Sequence, residues 1–527
     1  MRKVFFVFTV TALTFTAILT YIHWKFVFLL LFFLPLIAMG LFDMYQSRHA
    51  IRRNFPLVGR LRYLLEAIGP EIRQYFVETD IAGRPFDRLQ RGLVYARSKK
   101  ELDTRPFGTQ LNVYDEGYQW INHSINAIAF ADIDEDPRVL IGSSQCEKPY
   151  MASLFNISAM SYGSLSKNAI VALNQGAKKG GFFHNTGEGG LSPYHLENGG
   201  DIVWNIGTGY FSCRDEYGNF SPTHFSERAH KDSVKMIEIK FSQGAKPGHG
   251  GILPKEKVTD EIAAIRLVKK GDDIISPPKH SAFKTPLELI DFLKTLRHLS
   301  GGKPVGMKIC IGNKSEFIAI CKAMVDTGTY FDFITVDGGE GGTGAAPIEY
   351  SDHVGMPLRD ALAFVYDCLN GFGIKDQIKI IASGKVISGF DIIRALSMGA
   401  DVCNSARGMM FALGCIQALQ CHSNTCPTGV ATQDPKLVGG LDPALKSIRV
   451  FRYHHETVKS AMELMASAGI DHPDKVGRDL VSMRVDKTNI RTFSELFPEV
   501  KPGCMLSSET VPDKYFHDWK RATSAHF

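Results

Sequence analysis

The sequence predicts an α/β fold: a (β/α)8 TIM barrel entered through an N-terminal transmembrane helical hairpin and flanked by helical segments. Three observations predict it. Two uncharged apolar stretches open the chain. From about residue 150, short apolar runs alternate with helical patterns and Gly-rich joints, the rhythm of a parallel sheet with crossover helices. Gly or charged residues stand just after most of those runs, at the strand ends where a closed barrel builds its site. An open doubly wound sheet is the rival topology.

The first element is the hairpin, expected over residues 1–45. Val4–Ile22 and Phe26–Phe42 carry no charge, and a spanning helix needs about 20 apolar residues with ~17 near the lower limit. Arg2 and Lys3 precede the first stretch, and Arg48, Arg52, Arg53, Arg60 and Arg62 follow the second. Positive charge on both outer flanks predicts both ends in the cytoplasm. The expected location is therefore the cell inner membrane, with two transmembrane helices and a cytoplasmic catalytic domain. A cleaved signal peptide fits less well, because its apolar region should be only ~7–15 residues long. A hydrophobic arm lying on the membrane surface is the main rival.

Residues 46–149 read as a connector and N-terminal subdomain. Residues 150–430 read as the barrel, with candidate strands at 154–160, 235–241, 304–310, 331–337, 378–384 and 400–406. Helical patterns lie between most of them, for example at 315–328 and 389–399. Residues 431–527 read as helices beside the barrel with a polar tail.

Composition narrows the function classes. Of 527 residues, 44% are hydrophobic and 22% charged, which excludes a disordered or collagen-like chain. The net charge of +5 is local, since residues 1–65 hold eight Lys/Arg and one acid. A basic excess confined to the N-terminus points to an anionic membrane surface and gives no reason to expect nucleic acid. The ten cysteines in so large a chain do not read as a disulfide framework.

Three cysteines cluster in GCIQALQCHSNTCPTGVATQDP: Cys415, Cys421 and Cys426. Clustered thiols suit an iron–sulfur centre or zinc. Zinc held by these three and His422 is one alternative, and buried unligated thiols are another.

Other candidates sit at strand ends. Ser158-Ala159-Met160 end the first strand, where backbone groups could meet a flat aromatic cofactor. Lys240 and Lys308 lie on strands and need an anionic or carbonyl partner if buried. DGGEGGTGAAP holds a GxGxxG, but Pro347 follows at once and no acid-tipped second strand comes ~20 residues later, so it is not a dinucleotide fingerprint. A glycine loop over a barrel mouth is the better reading. Ser383-Gly384-Lys385 and Ser405-Ala406-Arg407 end later strands, the usual place for a phosphate. Lys246 and Arg266 follow in a loop and helix and would suit a dicarboxylate.

The cysteine stretch resembles the cluster-binding segment of glutamate synthase. Five further blocks in family order support the resemblance: ISAMSYGSLS (157–166), NTGEGG (185–190), KFSQGAKPGHGGILP (240–254), ISPPKH (275–280) and DGGEGGTGAAP (337–347). The likeness runs from about residue 150 to about residue 480. It implies the (β/α)8 fold, FMN, and a [3Fe–4S] cluster on Cys415, Cys421 and Cys426. It implies that Lys246 and Arg266 bind 2-oxoglutarate, with Glu188 beside them as a catalytic residue. Ser158, Ala159, Met160, Asn185, Lys240, Gln243, Lys308, Asp337, Gly338, Gly339, Ser383, Gly384, Lys385, Ser405, Ala406 and Arg407 become the expected cofactor contacts. The implied partners are 2-oxoglutarate, ammonia or an amine, and an electron-donor protein, ferredoxin-like or a reductase. Large glutamate synthases begin with a glutaminase domain bearing an N-terminal Cys. This chain begins Met1-Arg2-Lys3, so ammonia is expected to arrive free or from a partner. Ile252 and Leu191 depart from the Gln and Glu common in the family. They leave two other readings open: an FMN transferase making an N-substituted glutamate, and a non-catalytic membrane electron-transfer flavoprotein.

Overall fold

The computed structural model describes residues 1–527 and divides into two compact units, Met1–Leu89 and Gln90–Phe527.

The first unit opens with helix α1, Arg2–Ile22. The chain turns at His23, passes through a 3-10 turn at Trp24–Leu29, and enters α2, Leu30–Tyr45. Arg2–Ile22 and Trp24–Tyr45 are long and apolar enough to cross a membrane. The two helices are antiparallel, because Phe5 near the start of α1 covers Gly40 near the end of α2 so closely that a Cβ there would overlap its ring. Three hydroxyls of α1 are satisfied within it: Thr9, Thr16 and Thr20 each donate to the carbonyl four residues back. Shorter helices follow at Ala50–Asn54 and Gly59–Ala67.

The second unit is built on a closed barrel of eight parallel strands in sequential order. We number them β1 Phe155–Ile157, β2 His184–Asn185, β3 Ile202–Ile206, β4 Val234–Lys240, β5 Val305–Ile309, β6 Phe333–Asp337, β7 Lys379–Ser383 and β8 Val402–Ser405. All six expected strands are present; β2 and β3 are additions. The register sets the candidate residues side by side at the strand ends: Lys240 beside Lys308, Asp337 beside Ser383, and Ser405 beside Ile157.

The helices start and stop where their caps dictate. Ser166 accepts from the Ala169 amide to open Lys167–Gly180, and Gly181 closes it with φ +62°, a conformation costly for residues with a Cβ. Asn313 and Gly328 do the same for Lys314–Thr327. The 25-residue helix Pro443–Ser467 packs across Lys167–Gly180, where Gly176 leaves room for the Val450 side chain. Its Tyr453 hydroxyl donates to the Ile387 carbonyl at 2.9 Å, fixing it to the β7–β8 connection.

The segment after 430 is not wholly helical. Val481–Arg484 pairs antiparallel with Gln119–Ile121 and Ile490–Thr492.

Candidate functional site

The strand ends surround a polar centre that begins inside the barrel. Glu238, on β4, is 1% exposed. Its Oε1 accepts from Asn185 Nδ2 at 2.8 Å and Asn205 Nδ2 at 2.6 Å, and its Oε2 from Thr335 at 2.6 Å. Asn185 thus turns its amide into the barrel, while its own Oδ1 accepts from the Gly187 amide and shapes the loop after β2. Two residues beyond Glu238, on the same face of β4, Lys240 donates to Glu188 Oε2 at 2.9 Å and to Gln243 Oε1 at 2.7 Å. Lys308 pairs with Asp337 at 3.3 Å. Burial opposes its charge, but Asp337 and Glu238 outweigh that and raise its pKa. Asp337 also accepts from the Gly244 amide, which ties the loop after β4 to the end of β6.

Glu188 is the acidic focus of the site. Gly251 lets the backbone lie directly against its carboxylate, where a Cβ would overlap it. Burial would neutralise it, but Lys240, Arg266 and Lys246 prevail and hold its pKa below the usual carboxylate value. Glu188, Lys240, Gln243 and Lys246 line a small open cleft together with Thr208, Phe241, Ser242 and Pro277.

The cations around Glu188 are differently committed. Arg266 is 3% exposed, lies 5.1 Å from the Phe211 ring centroid and donates to the Tyr162 carbonyl at 3.2 Å. Its Nε has no partner, and burial brings its pKa down to about 10. Lys246 is also 3% exposed, and burial lowers its pKa despite the attraction of Glu188. No hydrogen bond within the chain engages its ammonium.

β7 and β8 end in Ser383 and Ser405, and small residues follow β1 and β6 directly. Ser158 Oγ meets Ser383 Oγ at 3.2 Å, and Ser405 Oγ donates to the Val386 carbonyl. Gly338 and Gly339 are pinned by backbone bonds to Ser383 and Met356, and Glu340 turns back to accept from the Leu358 amide. Arg407 donates to the Glu340 carbonyl at 3.0 Å beneath Gly342, and burial lowers its pKa to about 10. Lys385 takes a left-handed φ of 52° just beyond β7. The Gly384 and Ala406 amides engage no acceptor in the backbone network. Unpaired amides beside a buried guanidinium suit a phosphate, so these residues fit the phosphate end of FMN. Met160 is buried and Ala159 half-buried at the end of β1, where a flat ring could lie.

The three cysteines lie on one loop after the helix Arg407–Leu413. Cys426 is buried. Burial works against its ionisation, but the Thr428 hydroxyl and the Ala431, Thr428 and Val430 amides point at its sulfur and lower its pKa. Burial pushes Cys415 up to about 12 and also raises Cys421. No three His, Cys, Asp or Glu side chains converge on the geometry of a single metal ion. Three thiols on one loop are a donor set whose chemistry suits an iron–sulfur cluster or zinc.

Residues that sequence reasoning missed complete the site. Lys257 is 2% exposed and donates to the carbonyls of Ser164, Cys421 and Ala431 at 3.1, 2.7 and 2.9 Å. It joins the loop after β1 to the cysteine loop. His280 bridges the Lys240 carbonyl and the Tyr210 hydroxyl. Glu238 carried a readable signal, since an acid two residues before Lys240 in an apolar strand must share its face.

A closed parallel barrel with buried cations at its strand ends is an enzyme architecture. A family model described as a conserved region in glutamate synthase matches residues 108–471. The chain is 40% identical over 492 residues to the glutamate synthase large subunit-like protein YerD of Bacillus subtilis (strain 168), covering 86% of this chain and 93% of that one. It is 38% identical over 316 residues to the archaeal glutamate synthase (NADPH) of Methanocaldococcus jannaschii, covering 60% of this chain and 59% of the relative. The chain belongs to the glutamate synthase family, a family of oxidoreductase enzymes.

Proposed function

We propose that this protein is a membrane-anchored oxidoreductase that reductively aminates 2-oxoglutarate to glutamate, using FMN in the barrel mouth and a [3Fe–4S] cluster on Cys415, Cys421 and Cys426. The observation that carries the reading is the charge around the cleft. Lys240, Lys246 and Arg266 face one carboxylate, Glu188, leaving two uncompensated positive charges for a dianionic substrate. Lys246 lines the cleft and has no hydrogen-bond partner within the chain, and a substrate carboxylate would provide one. Arg266, with its free Nε, would take the second carboxylate. Lys240, held by Glu188 and Gln243, would face the flavin. Glu188, kept ionised by its neighbours, would accept a hydrogen bond from the incoming nitrogen nucleophile and orient it.

Bound FMN would supply hydride to C2 of 2-iminoglutarate, and the cluster would supply its electrons one at a time. Lys385, Arg407 and the Gly384 and Ala406 amides would hold the phosphate, with Ser158, Ser383 and Ser405 close by. Lys308 and Asp337 would set the charge near a bound flavin. A donor protein, ferredoxin-like or a reductase, would deliver electrons, and α1 and α2 would anchor the chain with the barrel on the cytoplasmic side.

The test is anaerobic turnover with reduced methyl viologen, 2-oxoglutarate and ammonium. Glutamate is the expected product. Its absence from protein with full FMN and cluster content would overturn the proposal.

A further inference from the structure

Beyond the two apolar helices, the first unit carries an apolar stripe that its own fold leaves uncovered. Helix Gly59–Ala67 continues into Gly69–Ile72, because the Ile68 amide bonds to Leu64 and the Ile72 amide to Ile68. A five-residue π turn, Arg73–Val77, extends it. At about 100° per residue, Leu61, Leu64, Leu65, Ile68 and Ile72 fall within an arc of about 100°. All five are exposed, from 38% for Ile72 to 56% for Leu61 and Leu64. Tyr63 lies on the opposite side and packs inward, 4.5 Å from the His49 ring and beneath Arg52. The apolar face is therefore the outward one.

Contacts place this helix at the open end of the hairpin. Asp43, fully buried near the end of α2, pairs with Arg60 at 2.8 Å and accepts from the Leu57 amide. Arg2, at the start of α1, donates to the Arg53 carbonyl at 2.7 Å. The surface that follows is basic: residues 46–77 hold six arginines and two acids. Arg60 and Arg62 flank the stripe on either side, Arg60 paired with the buried Asp43 and Arg62 with the exposed Glu66 at 2.8 Å, and Glu71 lies at one border. An outward apolar stripe edged by arginines, fixed to the end of an apolar hairpin and set in a segment with a net positive charge, has the composition of a helix lying in a headgroup layer.

We propose that residues 59–77 form a second membrane contact, an interfacial helix whose Leu/Ile stripe enters the acyl boundary of an anionic bilayer while its arginines meet lipid phosphates. The inference rests on the reading of α1 and α2 as membrane spans. Its occupant is the bilayer that those spans would enter, so the stripe continues an existing contact. It would hold the chain flat against the surface as it leaves the membrane.

The experiment uses the full chain in vesicles of phosphatidylcholine, alone or mixed with phosphatidylglycerol, with amide exchange read over residues 59–77. Flotation with the vesicles reports separately on the hairpin. In mixed vesicles the wild type should exchange about tenfold or more slowly than a Leu61→Gln, Leu65→Gln, Ile68→Gln variant that still floats. Arg62→Gln with Arg73→Gln, both surface changes, should shrink the difference between the two lipid mixtures. Equal exchange in wild type and the triple variant, with both floated, would overturn the proposal. So would protection that disappears when the protein is diluted in lipid, which would assign the stripe to a second copy of the chain. Failure to float would remove the membrane reading and this surface with it.

Discussion

Replacing Lys246 by Met should make the protein more stable and its substrate binding weaker. The stability half follows from the unliganded site. The Lys246 side chain is buried, it has no hydrogen-bond partner within the chain, and its pKa is lowered by burial. Met keeps most of the packing volume and removes the charge, so the desolvation cost disappears. Part of the gain is offset by the lost attraction to Glu188, leaving a net of about 1 kcal/mol. In a unit this large that moves Tm by roughly 2 °C or less. The pH dependence has a definite sign. A lysine whose folded pKa lies below its unfolded value binds fewer protons when folded. Its penalty is complete below the lowered pKa and fades as pH rises toward 10.5, so the advantage of Lys246→Met should shrink in alkaline buffer.

The binding half has the opposite sign. A charge-assisted hydrogen bond to a substrate carboxylate is worth about 1.5–3 kcal/mol, or roughly 10- to 150-fold in Kd. Thermal melts of wild type and variant, each with and without 2-oxoglutarate, read both halves. The variant should melt slightly higher alone and gain little from 2-oxoglutarate, while the wild type gains clearly. A variant that melts several degrees lower alone, or gains as much from 2-oxoglutarate as the wild type, would refute the reasoning.

The purified protein should be yellow and release FMN, because the β7 and β8 ends offer one phosphate site and no adenine fingerprint; chromatography of the heat-released flavin decides, and FAD would contradict it. Cys421→Ser should lose iron and acid-labile sulfide together, whereas one zinc per chain and no sulfide in the wild type would exclude the cluster. Lys257→Met leaves three buried carbonyls without their donor at about 1–3 kcal/mol each, partly offset by removal of a buried charge. Faster cluster loss on chelation with the FMN retained is the expected result, and unchanged cluster lifetime would show that Lys257 does not organise the cysteine loop.

Six barrel strands were legible because their apolar runs end in residues with chemistry. β2 has only two residues, too short to leave an apolar run, and its Asn185 turns inward to Glu238. β3, Ile202–Ile206, is apolar apart from Asn205, and it follows so closely on β2 that no helical stretch of ordinary length sets it off as a separate βα unit. The sheet that joins Gln119–Ile121 to Val481–Arg484 pairs segments hundreds of residues apart, and neither has a local pattern that names the other. The site divides along the same line. Lys246, Arg266 and the three cysteines could be placed by motif. Lys257 could not, because its role depends on three carbonyls drawn from separate loops.

Position also decides what the departures at Ile252 and Leu191 change. Leu191 is 7% exposed and gives its amide to Ser212 Oγ. Ile252 pairs with Ile275 in a two-residue strand contact. Neither lines the cleft, but each adjoins a residue that shapes it. Gly190, before Leu191, packs on Ser212, and Gly251, before Ile252, packs on the Glu188 carboxylate. Apolar side chains at these positions leave the cations in place and remove hydrogen-bonding capacity from the wall behind Glu188. Under the proposed reading, anion recognition would rest on Lys246 and Arg266 and would be unaffected by such a change. Delivery of a small polar nucleophile to the Glu188 carboxylate is the step that a drier wall would slow. The proposed enzyme should therefore bind 2-oxoglutarate readily and turn over slowly with ammonium, a combination that separate measurements of Kd and kcat will recognise.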